Sequence, residues 1–283
     1  MTTKQELDRH SEHDLGNKAG PQYHSPNGQN GADLSRQISV QLTSQQFEEL
    51  YLQPSQKSRQ QGQLIKALGN PTVLGIICFI LNLMPTSMVL MGFRGTTSAG
   101  TLGMIGVYYF VGGLGMVIAG LLEFLIGNTF PFVVFFTFGV FWLSLGTYTD
   151  PTKQISTLLA TDLPDLYCPF GFYLLIWSIY TFMLTFAAIR TNMVLVWILF
   201  HVAMTFLMLA AAYINIGNLA TAVGGKCLIA GGAFGFLASL GGLYILFHLL
   251  LAANDFPFNI PLGDLSGLLK KKTPPANDAG PTQ

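Results

Sequence analysis

Three ionisable side chains, Glu123, His201 and His248, stand inside long apolar stretches of this sequence. A carboxyl or imidazole group in such surroundings can take up and release a proton, and it marks a solute or proton path by default. Each also has a plainer reading. Glu123 can reach headgroup water from the end of its stretch, and either histidine can be a hydrogen-bonded packing group. Asn82, Thr86 and Ser87 lie near Pro85, which removes a helical hydrogen bond and is expected to kink the chain near Leu81. They could face a polar path or bond to their own backbone. Asn70-Pro71 has the chemistry of a helix start, a capping amide followed by a first-turn proline. No nucleophile–base constellation, Walker loop, heptad or CxxC motif accompanies these residues. Acids and bases are too sparse for a hydrolytic or di-metal site. The expectation is a non-enzymatic protein without cofactor, metal site or nucleic-acid partner, and not an ATP-driven pump.

The elements that must position these groups follow from composition. Of 283 residues 51% are hydrophobic and 10% charged, with 14 basic and 14 acidic side chains; soluble domains carry about a quarter charged residues. Between Pro71 and Leu251 the cations besides histidine are Arg94, Lys153, Arg190 and Lys226, and the acids are Glu123, Asp150, Asp162 and Asp165. A soluble core of that length could not wet its surface with so few charges, so the solvent is a bilayer. Six apolar runs approach the span of about 20 residues that a membrane helix needs: Val73–Met91, Leu102–Ile126, Phe130–Leu145, Phe170–Ala188, Met193–Ile214 and Cys227–Leu251. The third is short, and Thr147 and Tyr148 can extend it. Backbone groups in lipid must be satisfied within a segment, so these are helices, and the fold class is an all-α integral membrane protein with six transmembrane helices. Gly127-Asn128-Thr129 and Ile189–Asn192 are tight links that make antiparallel neighbours; Tyr148–Tyr167 reads as a long polar loop.

Residues 1–69 are polar and too poor in apolar groups to offset ordering entropy, so they read as a disordered cytosolic tail with a short amphipathic turn near Gln45–Leu52. They contain no apolar signal-peptide core, which leaves the first helix as its own insertion signal. The transmembrane domain is expected over 70–252 and a cytosolic C-terminal tail over 253–283. With both termini cytosolic, Lys57, Arg59, Lys66, Arg190 and the tail lysines Lys270, Lys271 and Lys272 face the cytosol, while Arg94, Lys153 and Lys226 face outward. Cys168 and Cys227 then share the outer side, and a disulfide between them is an open expectation. Glycines crowd the second and sixth runs. Tight helix packing is the default reading; glycines on more than one face favour an oligomer.

Three stretches together resemble a known family: Asn70-Pro71-Thr72-Val73-Leu74-Gly75, Ala119-Gly120-Leu121-Leu122-Glu123, and Gly127-Asn128-Thr129-Phe130 followed by Phe138-Gly139-Val140-Phe141-Trp142-Leu143. At this spacing they look like the acetate uptake transporter family, which has bacterial SatP-type and fungal Ato-type members. The resemblance covers about residues 64–265, and the long polar N-terminus is similar to the fungal branch. It implies a hexameric ring of protomers, each with its own pathway, and passage of acetate and related monocarboxylates with protons, in the plasma membrane. It also implies an apolar constriction at Phe79, Phe138 and, placed on the fifth helix without a sharp motif, Val202. Asn70, Pro71, Asn82, Thr86, Glu123, Asn128 and Thr129 are the polar or motif residues expected along the path. Phe138 stands where many relatives have Tyr, Val202 where Leu is usual and Met116 where Gln is frequent, so the path is expected to be drier and wider. Two other readings stay open: a channel for ammonia, ammonium or a urea-like neutral solute, and a membrane sensor of acid stress suggested by the Ser-rich tail.

Overall fold

The computed structural model describes residues 68–265. The expectations for the N-terminal tail up to residue 67, its short helical turn and residues 266–283 lie outside the described residues. The described chain is helical, with six long elements: α1 Pro71–Leu90, α2 Ser98–Leu125, α3 Thr129–Thr149, α4 Leu163–Ala188, α5 Met193–Gly217 and α6 Thr221–Ala253. By length and composition, each can cross a membrane. Even α1, with 20 residues, extends about 30 Å, the thickness of a hydrocarbon core.

Local chemistry sets several helix ends. The Asn70 side chain accepts from Thr72 N at 3.0 Å, and Pro71 opens α1. The helix then runs without interruption through Pro85 to Leu90. Gly127, at φ 83°, closes α2. Its N–H donates to Phe124 O and that of Asn128 to Glu123 O. This is a Schellman pattern, which needs the left-handed backbone that glycine adopts without strain. Helix α2 starts somewhat earlier than hydropathy indicates, at Ser98 rather than Leu102, and two others start well before the expected residue. Helix α4 begins at Leu163 rather than Phe170, because Asp162 accepts from Asp165 N at 3.2 Å and a proline lies in the first turn. Helix α6 begins at Thr221 rather than Cys227 and carries Lys226 near its start. The expected long loop therefore shrinks to a turn at Pro151–Lys153, a helical turn at Ile155–Leu158 and their joints. There Asp150 accepts from Thr152 Oγ1 at 2.7 Å, Thr152 N at 2.9 Å and the Tyr109 hydroxyl at 3.3 Å. The Thr152 hydroxyl bond first, and then the other donors, hold its carboxyl below the usual carboxylate range.

Helix α2 is irregular. It opens in 3-10 turns, widens into a π-helix over Tyr108–Gly115 and returns to α geometry at Met116. The widened part carries Gly112, Gly113 and Gly115. A Cβ on Gly112 would strike the Asn82 carboxamide and come within 2.8 Å of Trp142 Cγ. One on Gly115 would lie 2.6 Å from Cys78 Sγ. The glycines thus let α1 and α3 close on α2.

Helix α1 packs on α2 and α6, α2 on α3, α4 on α5 and α5 on α6. The remaining seam, between α3 and α4, is bridged by rings: Phe138 with Trp177 at 5.4 Å and Tyr148 stacked on Phe170 at 4.0 Å. The six helices so form a closed bundle. Close packing accounts for Gly120, Gly241 and Gly242, each with a neighbouring helix within 3.0 Å of where its Cβ would be; Gly103, Gly106 and Gly225 meet open space. The disulfide left open between Cys168 and Cys227 does not form: both are free thiols. Cys168 Sγ instead lies 3.9 Å from Ile214 O on α5 and packs against Gly217. The chain after α6 is also not a loose tail, since Asn254–Leu265 folds back on the bundle and joins α5 through an Asn192–Asp264 bridge.

Candidate solute pathway

Three cavities follow one another inside the bundle. The first, of about 180 Å³, lies at the end that carries Asn70, Asn128 and Asn192. Thr72 and Ile76 of α1, Met116 of α2, Val134 and Phe135 of α3 and Leu199 of α5 line it. The second, about 40 Å³, is lined by Thr86, Ser87, Trp142, Thr205 and Phe206 among others. The third, about 50 Å³, has Thr86 again, with Thr101, Tyr108, Thr149 and Tyr213. Each exceeds the ~10–15 Å³ that one water requires. No lining residue of the three carries a charge. The third is rich in hydroxyls.

Phe79, Phe138 and Val202 line both the first and the second cavity. All three are buried, with exposures of 7%, 4% and 4%. They come from α1, α3 and α5 and form the partition between the two spaces. Phe138 is held from behind by Trp177 and by Phe206, whose ring centre is 6.0 Å away. Thr86 is shared by the second and third cavities in the same way. Its hydroxyl donates to Asn82 O at 2.8 Å and lies 3.3 Å from the Tyr108 hydroxyl. It therefore does both things open to it from the sequence, bonding to its own helix and facing the cavities.

The other sequence candidates fall elsewhere. Glu123 is wholly buried, so it does not reach headgroup water. It accepts hydrogen bonds from the Thr72 hydroxyl and from Asn128 Nδ2. It lines none of the three cavities itself, but its partner Thr72 lines the first. Asn128 precedes α3 without capping it, because its side chain is engaged with Glu123. Thr129 is exposed and, like Asn70 and Pro71, borders none of the three cavities. Asn82 is wholly buried and faces Gly112 of α2; neither its amide nitrogen nor its oxygen has a hydrogen-bond partner. Trp142 Nε1 beside it is likewise unpaired. His201 Nδ1 donates to Trp197 O at 2.8 Å on its own helix, and its ring packs on Trp197 at 4.0 Å. His248 Nδ1 donates to Ile260 O at 2.7 Å. Neither histidine lines any of the three cavities.

Several lining residues were not singled out from sequence. Asn192 caps α5 by accepting from Leu195 N at 2.9 Å and also lines the first cavity. Its place directly before an apolar run was a readable cap signal. Tyr108 and Tyr213 had no local signal at all. Leu262 lines the first cavity from beyond α6; apolar residues interleaved with Pro257, Pro261 and Gly263 are unlike a solvated tail.

A model of the GPR1/FUN34/yaaH family matches residues 52–267, which include all three cavities and every helix among the described residues. The chain belongs to the GPR1/FUN34/yaaH family. Relatives similar to it include the protein alcS of Aspergillus fumigatus, 36% identical over 237 residues that make up 81% of this chain and 86% of that one. The acetate transporter protein patA of Penicillium expansum is 32% identical over 240 residues, 83% of this chain and 95% of that protein. The ammonia transport outward protein 3 of Saccharomyces cerevisiae is 33% identical over 188 residues, 66% and 64% of the two chains. Among solved structures, the bacterial acetate channel SatP is similar at a TM-score of 0.55 and 25% identity, over 69% of this chain and 99% of its own. The six apolar helices and this GPR1/FUN34/yaaH membership make the chain an integral membrane protein.

Proposed function

We propose that this protein passes acetate and related short monocarboxylates across a membrane through the file of three cavities, with Phe79, Phe138 and Val202 as its apolar constriction. The observation that carries the reading is that these three side chains wall two consecutive cavities at once. The named acetate transporter and acetate channel among the similar proteins support the choice of solute. A carboxylate is charged at neutral pH, and a charge at the bilayer centre costs about 2.5–3.5 kcal/mol or more. The path offers two ways to lower that cost. The Tyr108 and Tyr213 hydroxyls supply donors on one side of the constriction and the Asn192 amide on the other, while the hydroxyl protons of Thr86, Thr149 and Thr72 are already given to Asn82 O, Leu145 O and Glu123. Because no lining cation neutralises the solute, a proton travels with it. Glu123, joined to the first cavity through Thr72, is better placed to handle that proton than His201 or His248. A short apolar neck between wetted spaces also gates by dewetting.

The assembly belongs to the same proposal: a hexameric ring, each protomer with its own path, both termini cytosolic, in the plasma membrane. Gly103, Gly106 and Gly225 supply small surface positions with no intramolecular neighbour, which suit close approach between protomers. Arg190 at the Asn70 end adds to the basic residues of the two tails, which favours that end as the cytosolic one.

The test is uptake of labelled acetate, propionate and lactate into proteoliposomes, with and without an inward proton gradient. Phe79→Ala and Phe138→Ala should raise the rate for the larger acids relative to acetate. Unchanged rate and selectivity in both variants would remove these residues from the path. The uncharged lining also fits ammonia, and the similarity to an ammonia transport protein favours that as the second reading. Ammonia flux without acetate flux in the same vesicles would select it.

A further inference from the structure

The segment after α6 turns back at once. Asp255 adopts a left-handed backbone at φ 50°, and Phe256 N donates to Leu251 O at 3.0 Å, closing the helix and reversing the chain. Two side chains of α6 then hold the returning strand. The Tyr244 hydroxyl donates to Pro261 O at 2.8 Å, and His248 Nδ1 donates to Ile260 O at 2.7 Å. The far end is held by the start of α5. Met193 N donates to Gly263 O at 2.8 Å and Leu265 N to Thr191 O at 3.0 Å. The strap 256–265 so runs from the end of α6 to the start of α5, alongside the first cavity. Leu262, between the two sets of attachments, lines that cavity together with Asn192 and Leu249.

We propose that this strap is the gate at the Asn70 end of the pathway and that Leu262 is its plug. The claim rests on reading the first cavity as part of the solute path. The strap is suited to opening because most of it is exposed and no packed helical face holds it, which places it at the low-stability end of the structure. Its two attachments differ in kind. The α6 side uses side-chain anchors, Tyr244 and His248, next to the chain reversal, and it acts as the hinge. The α5 side uses backbone bonds at Thr191 and Met193, and it releases. Gly263 is the latch. Its φ of 70° is a conformation that L side chains rarely adopt, and a Cβ there would lie 3.1 Å from Met193 Cβ. Opening moves Leu262 off the cavity mouth and lets a small solute enter from the side of the two termini.

The experiment uses the full chain in proteoliposomes and two readouts. One is the initial rate of acetate uptake. The other is labelling of Val134→Cys, inside the first cavity, by a small methanethiosulfonate reagent in a background with Cys78, Cys168 and Cys227 replaced by alanine. Labelling reports access through the mouth whatever solute permeates. Leu262→Ala should raise uptake and labelling at least threefold, and Leu262→Trp should lower both by a similar factor. Gly263→Ala, which weakens docking without touching the plug, should act like Leu262→Ala. Normal uptake with labelling that ignores all three variants overturns the gate. Labelling that responds while the protein carries no acetate upholds the gate and overturns the acetate reading instead.

Discussion

Asn128 Nδ2 donates to Glu123 Oε2 at 2.7 Å across the Gly127 turn, tying the start of α3 to the last turns of α2. The same carboxyl accepts from the Thr72 hydroxyl in the first turn of α1. One buried side chain thereby fastens three helix ends beside the first cavity. Its position next to the N-terminus of α1 is also favourable, because that end of the helix dipole attracts negative charge. Glu123→Ala leaves both donors without their acceptor, at a cost of about 1–3 kcal/mol. A lower melting temperature in detergent for Glu123→Ala, with a smaller loss for Glu123→Gln, is the expected result; equal stability of all three would show that the junction does not hold the bundle.

Asn82 is the opposite case. Its amide is buried with both polar atoms unpaired, beside the unpaired Trp142 Nε1. An orphaned buried polar group costs about 1–3 kcal/mol, so Asn82→Leu, close in shape, should raise the melting temperature. Uptake should be unchanged, since Asn82 lines none of the three cavities. A fall in uptake at unchanged or higher stability would return Asn82 to the path.

Gly120 and Gly106 separate packing from surface on one helix. A Cβ on Gly120 would lie 2.7 Å from Phe136 N and 3.0 Å from its Cα, so backbone and not a flexible side chain would have to move. Gly120→Ala should destabilise by about 1–3 kcal/mol. Gly106 faces open space, and Gly106→Ala should gain about 0.5–1 kcal/mol through helix propensity. Thermal unfolding with size-exclusion chromatography checks both. A Gly106→Ala variant that keeps its helix content but loses its assembly would identify that surface as a subunit contact.

Asp150 contributes a pH dependence outside the spans. Its folded pKa lies below the ordinary value of about 3.9, so the unfolded chain binds the proton more readily. The stabilisation is present above the unfolded pKa and fades as pH falls from there through the lower folded value. The stability gap between the unaltered protein and Asp150→Asn should be constant near neutrality and close below about pH 4. Melting curves between pH 6 and pH 3 measure it; a gap that widens on acidification would mean that the Thr152 and Tyr109 bonds do not favour the ionised form.

The six helices were legible in the sequence because a bilayer forces every backbone group to be satisfied within its own segment. Length and apolarity then suffice, and caps such as Asn70 and turns such as Gly127 announce themselves locally. The starts of α4 and α6 were not legible because Pro164, Asp165 and Lys226 near them count as loop by hydropathy; Asp162 caps α4, whereas α6 starts without a side-chain cap. Rotation of each helix about its axis was not legible. Lipid and protein interior are both apolar, so the pattern of apolar residues does not mark the inward face. Only the tertiary structure turns Asn82 toward α2, bonds His201 to its own helix, and sends Leu262 back to the cavity it lines. It also brings Phe79, Phe138 and Val202, far apart in the chain, onto one partition. The sequence by itself determined how many times the chain crosses; packing between helices decided what lies along the way through.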